Sequence, residues 1–203
     1  MRAALAGVLA LTAALAACGG NDAGTADSMA GASAAAAAAA TADSGMAGMD
    51  HSQMAGMNRT APKDSNQAFL RMMSDHHEGL VAMSDSAMSR ITGAKAGAQQ
   101  MRTKQDGEQQ RMMSMLSAQY SDSLMPMIMP SHQAMVDSVT RAPQGAEADR
   151  VYYRQVIAHH REGIQMTEKM LTYLTGDVRQ MAEKMIAEQR REITDLERKA
   201  ARP

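Results

Sequence analysis

The 203-residue chain has one cysteine, Cys18. It therefore has no internal disulfide, and no thiolate set with which to hold zinc or an iron–sulfur cluster. Net charge is −1 with no long basic run, which argues against a nucleic-acid partner. No segment alternates as a strand does. No nucleophile motif, phosphate-binding glycine loop or hydrolytic triad can be traced, so the chain is expected not to be an enzyme. Leucine is scarce as well. Beyond residue 17 there are seven leucines, at 70, 80, 116, 124, 171, 174 and 196, against 21 methionines, the 22 of the chain less Met1. Helical cores ordinarily prefer leucine and use methionine as filler. Something other than packing favours sulfur.

The chain opens with Arg2 and a short apolar run over residues 3–17 that ends Leu15-Ala16-Ala17-Cys18. A span needs about 20 apolar residues, so this run is too short, but it has the length and small-residue cleavage site of a secretory signal. The tetrapeptide looks like a bacterial lipobox, in which Cys18 becomes the lipidated first residue. Residues 1–17 are thus expected to be a lipoprotein signal peptide, and the protein to be lipid-anchored in the periplasm or cell envelope. Gly19 and Gly20 follow rather than aspartate, which favours the outer membrane. Residues 18–63, rich in Ala, Gly, Ser, Thr and Asp without apolar period, read as a disordered tether.

The folded part is expected over 64–203, all helical. Asp64 with Gln67 forms a capping-box pattern and opens a first helix to about Ile91. A second runs from about Ala94 to Tyr120. A Pro- and Met-rich loop over 124–130 leads to a short helix near 131–140. A third long helix covers about 147–174, and Asp177 with Gln180 repeats the capping pattern to open a fourth. The halves align: Phe69 with Tyr152, His76-His77 with His159-His160, Met83 with Met166, Met101 with Met181, Glu108 with Glu188 and Leu116 with Leu196. Hairpin one (64–122), a connection (123–145) and hairpin two (146–203) predict an up-down-up-down four-helix bundle from two duplicated helical hairpins.

The duplicated feature is chemical. His76-His77 recurs as His159-His160, and each pair is followed six residues later by a methionine, Met83 and Met166. A stripe of Phe69, Met73, His76, Leu80 and Met83 puts the first histidine of each pair on the buried seam and the second at its edge. Met101 and Met181 return beside the far ends of their partner helices. Neutral imidazole with thioether, and no carboxylate cage, selects a soft ion: Cu(I), with Ag(I) as mimic, or Cu(II) on the histidines alone. In the tether, Met46, Met49, Met54 and Met57 surround His51 where no core exists to be packed. A further group, Met125, Met127, Met129 and His132, reads either as a metal cluster or as a hydrophobic cover on the bundle.

The stretch Phe69-Leu-Arg-Met-Met73-Ser-Asp-His76-His77-Glu-Gly-Leu-Val-Ala-Met83 resembles the bacterial family labelled domain of unknown function 305. That resemblance implies a ferritin-like helical bundle, often duplicated, and periplasmic copper binding in some members. Carried over by position, it implicates Met73, His76, His77 and Met83, then His159, His160 and Met166, with Val156 standing where a second Met73 would be. Met46–Met57 is similar to the repeats of bacterial copper-resistance proteins. A di-iron oxidase is the competing reading, since Glu108 and Glu188 match between halves; the Glu-x-x-His spacing it needs is absent. The expected function is an envelope lipoprotein that sequesters copper or relays it to a copper-transfer protein. A methionine-rich oxidant sink and a metal-free structural module are the alternatives.

Overall fold

The structure, a computed structural model, describes residues 59–201. Cys18 and the segment carrying Met46, Met49, His51, Met54 and Met57 lie outside the described residues. Five α-helices follow in order: α1 (Ser65–Met88), α2 (Lys95–Tyr120), α3 (Pro130–Arg141), α4 (Ala146–Met170) and α5 (Gly176–Ala200). No strand occurs among the described residues, and none of their helices is long and apolar enough to cross a membrane.

Asp64 caps α1 by accepting a hydrogen bond from the Gln67 amide at 2.8 Å, and the Gln67 side chain accepts from the Lys63 amide at 2.8 Å. Such a cap is worth about 1 kcal/mol. Tyr120 donates to the same Asp64 carboxylate, tying the end of α2 to the start of α1. Pro130 opens α3 at the first helical position, where its missing N–H costs nothing. The second capping box does not form. Gly176, in a left-handed conformation at φ 55°, starts α5 one residue ahead of Asp177, and no side chain caps that helix. Asn66 of α1 instead binds Thr175 through both its amide groups. α4 also ends earlier than the sequence indicates, at Met170, and a 3-10 turn over Leu171–Tyr173 replaces its last turn.

α1 is the central rod. Of its 24 residues 17 are buried, far more than one apolar stripe supplies, because α2, α3 and α4 all pack on it. Two apolar clusters fill the two ends of the bundle. One gathers Phe69, Met73, Met112, Leu116, Met170 and Val178, and the other Leu80, Met83, Tyr152, Val156, Val139 and Leu196.

Helix directions correct the expected topology. Asn66 meets Thr175, the His76 carbonyl meets His159, and Ser84 meets Tyr152, so α1 and α4 run antiparallel. With α2 antiparallel to α1 and α5 antiparallel to α4, the order of the long helices is up-down-down-up, not up-down-up-down. The cause is the 25-residue connection over 121–145. Its helix α3, about 18 Å long at 1.5 Å per residue, runs alongside α1: the Met127 amide binds Asp75, Thr140 binds Ser86, and the Ala142 carbonyl binds Arg90. The chain is thus carried back to the opposite end before α4 begins. This crossover inserts α3 against α1 and α4, and it delivers one side chain that completes the central layer.

Candidate metal centre

Consecutive residues on a helix point about 100° apart. The two histidines of each pair therefore address different neighbours. His76 of α1 and His159 of α4 face each other across the antiparallel seam with ring centroids 3.9 Å apart. From α3, His132 closes the group, 4.7 Å from each. All three are wholly buried, and one ligand-type nitrogen from each lies within 4.8 Å of the others.

Two glycines make the room. A Cβ on Gly79 would lie 2.4 Å from His132 Nδ1, and one on Gly163 would lie 2.9 Å from His76 Cε1. Any side chain at 79 would thus have to displace the His132 ring.

Two of the rings, those of His159 and His132, are oriented by their outer nitrogens. His159 Nε2 donates to the His76 carbonyl at 2.9 Å, which leaves its Nδ1 as a lone pair. His132 Nε2 lies 3.3 Å from Glu162 Oε2, leaving its Nδ1 likewise. Neither Nδ1 has a hydrogen-bond partner among the described residues, and neither does either nitrogen of His76. Burial, then the imidazoles of His159 and His132, holds His76 well below the ordinary histidine range. His159 is lowered first by burial and next by His132 and His160, against the opposing bond to the His76 carbonyl. Both rings are therefore neutral at pH 7. Buried imidazoles whose free nitrogens converge, two of them steadied by an outer oxygen, make a ligand set for a transition metal.

His77 and His160, expected at the edge of the seam, are also fully buried. The reason is that α2 and α5 cover them with charged side chains. His77 Nε2 donates to Glu108 Oε2 at 2.9 Å, and His160 Nε2 lies 2.9 Å from Glu192 Oε2. Glu192, one turn beyond Glu188, is thus the partner in the second half. A slide of four residues keeps the same helix face, so the residue pattern alone could not choose between them. Lys104 reaches Glu192, Glu188 and Glu108. Burial pushes the Glu192 carboxyl up, but His160 and Lys104 outweigh it and hold the group below the usual range.

The sulfur residues sit above and below the histidine layer. Met73 is fully buried in one apolar cluster and Met83 in the other. Met166 and Met181 pack against the first cluster, and Met101 against the second. The 125–132 group divides. Met125 and Met127 are 76% and 46% exposed, so they are not a hydrophobic cover, while His132 turns inward to join the three-histidine layer. Sequence reasoning placed His132 with its neighbouring methionines rather than with His76 and His159. The available signals were Pro130, which starts a helix ahead of it, and Gly79, a gap on α1.

The family described as domain of unknown function (DUF305) matches the chain twice, over residues 10–116 and 98–200. No curated protein matches it. Among solved structures, a DUF305 fragment from Deinococcus radiodurans is similar at 22% identity and a TM-score of 0.61, covering 71% of this chain and all of that one. A DUF305 protein of Streptomyces coelicolor, described as secreted, is similar at 20% identity and TM-score 0.57, over 65% of this chain and 89% of its own. CopM in its Cu(II)-bound form is similar at 22% identity and TM-score 0.55, over 66% of this chain and 93% of its own. These likenesses show a shared helical fold, and the doubled match over most of its length establishes that this chain belongs to the DUF305 family.

Proposed function

We propose that this protein is an extracytoplasmic copper-binding protein that holds Cu(I) at His76, His132 and His159 and sequesters or relays it without turnover. The observation that carries this reading is the convergence of three buried imidazoles with free nitrogens inside 4.8 Å. The donor set fits a soft ion of low charge. Among the described residues no carboxylate enters the layer, so the ion's charge stays uncompensated in an apolar interior, which favours a monovalent over a divalent ion. CopM, a fold neighbour, is itself a copper-bound protein, which supports the choice of metal. The methionines of the two apolar clusters, Met73 and Met83 foremost, would supply thioethers along the path of the ion. Met46, Met49, His51, Met54 and Met57 would act as a capture arm, and Cys18 as the lipid anchor at the outer membrane. The up-down-down-up order with one crossover is that of ferritin-like bundles, which supports that assignment for the fold. Exposed Met125 and Met127 favour one alternative, an oxidant sink, which needs sulfur but no histidine.

Cu(I) titration of the metal-free protein under reducing conditions, against a competing chelator, tests the reading. At least one equivalent should bind tighter than micromolar. His132→Ala or His159→Ala should weaken the tightest site by at least about 100-fold, the upper end of what even an outer-shell change costs. Deleting residues 46–57 should slow loading and leave that site intact. Unchanged affinity in both histidine variants would remove the three-histidine centre. Methionine oxidation that proceeds equally in them would then favour the sink.

A further inference from the structure

We infer that the opposite side of the bundle carries a second cation site, formed by His77, Glu108, His160, Glu188 and Glu192, that takes a divalent ion of nitrogen–oxygen preference such as Zn(II) and in which Lys104 is the built-in competitor. The assignment does not depend on copper at the three-histidine centre.

All four long helices contribute to it. α1 gives His77, α2 gives Lys104 and Glu108, α4 gives His160, and α5 gives Glu188 and Glu192. The Lys104 ammonium sits 2.5 Å from Glu192 Oε1, 3.1 Å from Glu188 Oε2 and 3.7 Å from Glu108 Oε1. Three carboxylates, each about one-quarter exposed, thus share one inward cation. Lys184 touches only the outer oxygen of Glu188, and it is 69% exposed. The charge of the cluster is left negative.

The histidines are what distinguish this cluster from a solvated acidic patch. His160 is fully buried, and neither of its nitrogens makes a hydrogen bond. Its Nε2 stands 2.9 Å from Glu192 Oε2 but off the line of a hydrogen bond, and that oxygen is also unpartnered. Two ligands each about 2.1 Å from a tetrahedral ion stand about 3.4 Å apart, so the pair would have to open by about half an ångström to share one. The His77–Glu108 pair stands at the same 2.9 Å on the other side of Lys104, there as a hydrogen bond that an ion would replace. Imidazole with carboxylate suits zinc and other borderline divalent ions, not the soft monovalent ion suited to the neutral layer.

The cluster is also reachable. A cleft of about 690 Å³ between α2 and α5, lined by Gln100, Met101, Lys104, Tyr152 and Glu192, opens onto it. A smaller cleft lined by Glu108, Arg111, Met181, Lys184, Met185 and Glu188 meets it from the other end. The Lys104 side chain is 30% exposed, so its ammonium can leave toward the larger cleft as an ion enters.

The test is zinc affinity, measured with a competing chelator, together with the visible absorption of Co(II) as a report of its ligands. Lys104→Met should raise zinc affinity by at least about tenfold, because a like charge a few ångströms from the ion is removed. Lys104→Arg, which keeps the charge, should not. Adding Glu192→Gln to Lys104→Met should abolish the gain, whereas adding His132→Ala should leave it. Zinc should shift the ring signals of His77 and His160 in the nuclear magnetic resonance spectrum of the wild-type protein. Should Lys104→Met unfold when metal-free, zinc must refold it. The site is overturned if Lys104→Met gains nothing, if the gain survives Glu192→Gln, or if zinc fails to refold an unfolded variant.

Discussion

His76 and His77 are neighbours in sequence and, with their counterparts His159 and His160, occupy the same layer of the bundle, yet they meet opposite chemistry. On the α3 side, His76 and His159 crowd with His132, and among the described residues the carboxylate oxygen held against the group is that of Glu162, at the outer nitrogen of His132. On the α2 and α5 side, His77 and His160 each face a glutamate, and a lysine lies among the acids. One step of helical rotation separates a neutral pocket from a charged one. A residue type therefore fixes what a side chain can do, and the neighbour it is turned toward fixes which of those things it does.

The most damaging way to break this division is to close the gap that admits α3. Gly79→Ala puts a methyl group 2.4 Å from His132 Nδ1, so the ring must shift. Overpacking of this kind costs about 1–3 kcal/mol, which thermal unfolding of the metal-free protein should register. The same variant should lose tight Cu(I) binding while keeping the zinc affinity of the charged side. Equal loss on both sides would mean that the two are one site.

Acid sharpens the contrast next. Burial and the neighbouring imidazoles hold His76 and His159 well below the ordinary histidine range in the folded protein, whereas a histidine of the unfolded chain titrates at about 6.5. Between those values the unfolded chain binds more protons, so stability must fall as pH drops below about 6.5, by up to about 1.4 kcal/mol per pH unit for each ring. Above that pH the two rings contribute no slope. Chemical denaturation of the metal-free protein between pH 7 and 5 checks this. Replacing both residues by glutamine should flatten the curve, and a slope that persists unchanged would assign it to other groups.

The smallest effect is expected at Glu162. Its carboxylate steadies His132 from outside the layer at 3.3 Å and is 31% exposed. Glu162→Gln should therefore weaken Cu(I) binding by only about tenfold, the low end for an outer-shell partner. A loss as large as that of His132→Ala would make Glu162 a ligand in its own right.

Much of this was legible in the residues. The Asp64 cap, the bounds of α2, the short helix after the Pro- and Met-rich loop and the buried seam of His76 and His159 all follow from local pattern. So does the duplication, since each histidine pair with its trailing methionine is a nearby, repeated signal. Other features escaped because they depend on distance along the chain. The direction of α4 turned on how far α3 carries the chain back, which no turn motif encodes. Glu192 replaced Glu188 because helical faces repeat every turn. His77 and His160 were expected at an edge because a stripe describes one face, whereas α1 is covered on nearly all sides.

The chain alone determined that this protein is helical and duplicated, and that it is furnished with imidazole and thioether in place of thiolate, because periodicity and composition are local properties. Only the tertiary structure decided which imidazoles converge. His132 and His76 are 56 positions apart. They become neighbours because the crossover lays α3 along α1, and a missing side chain at Gly79 lets the ring through.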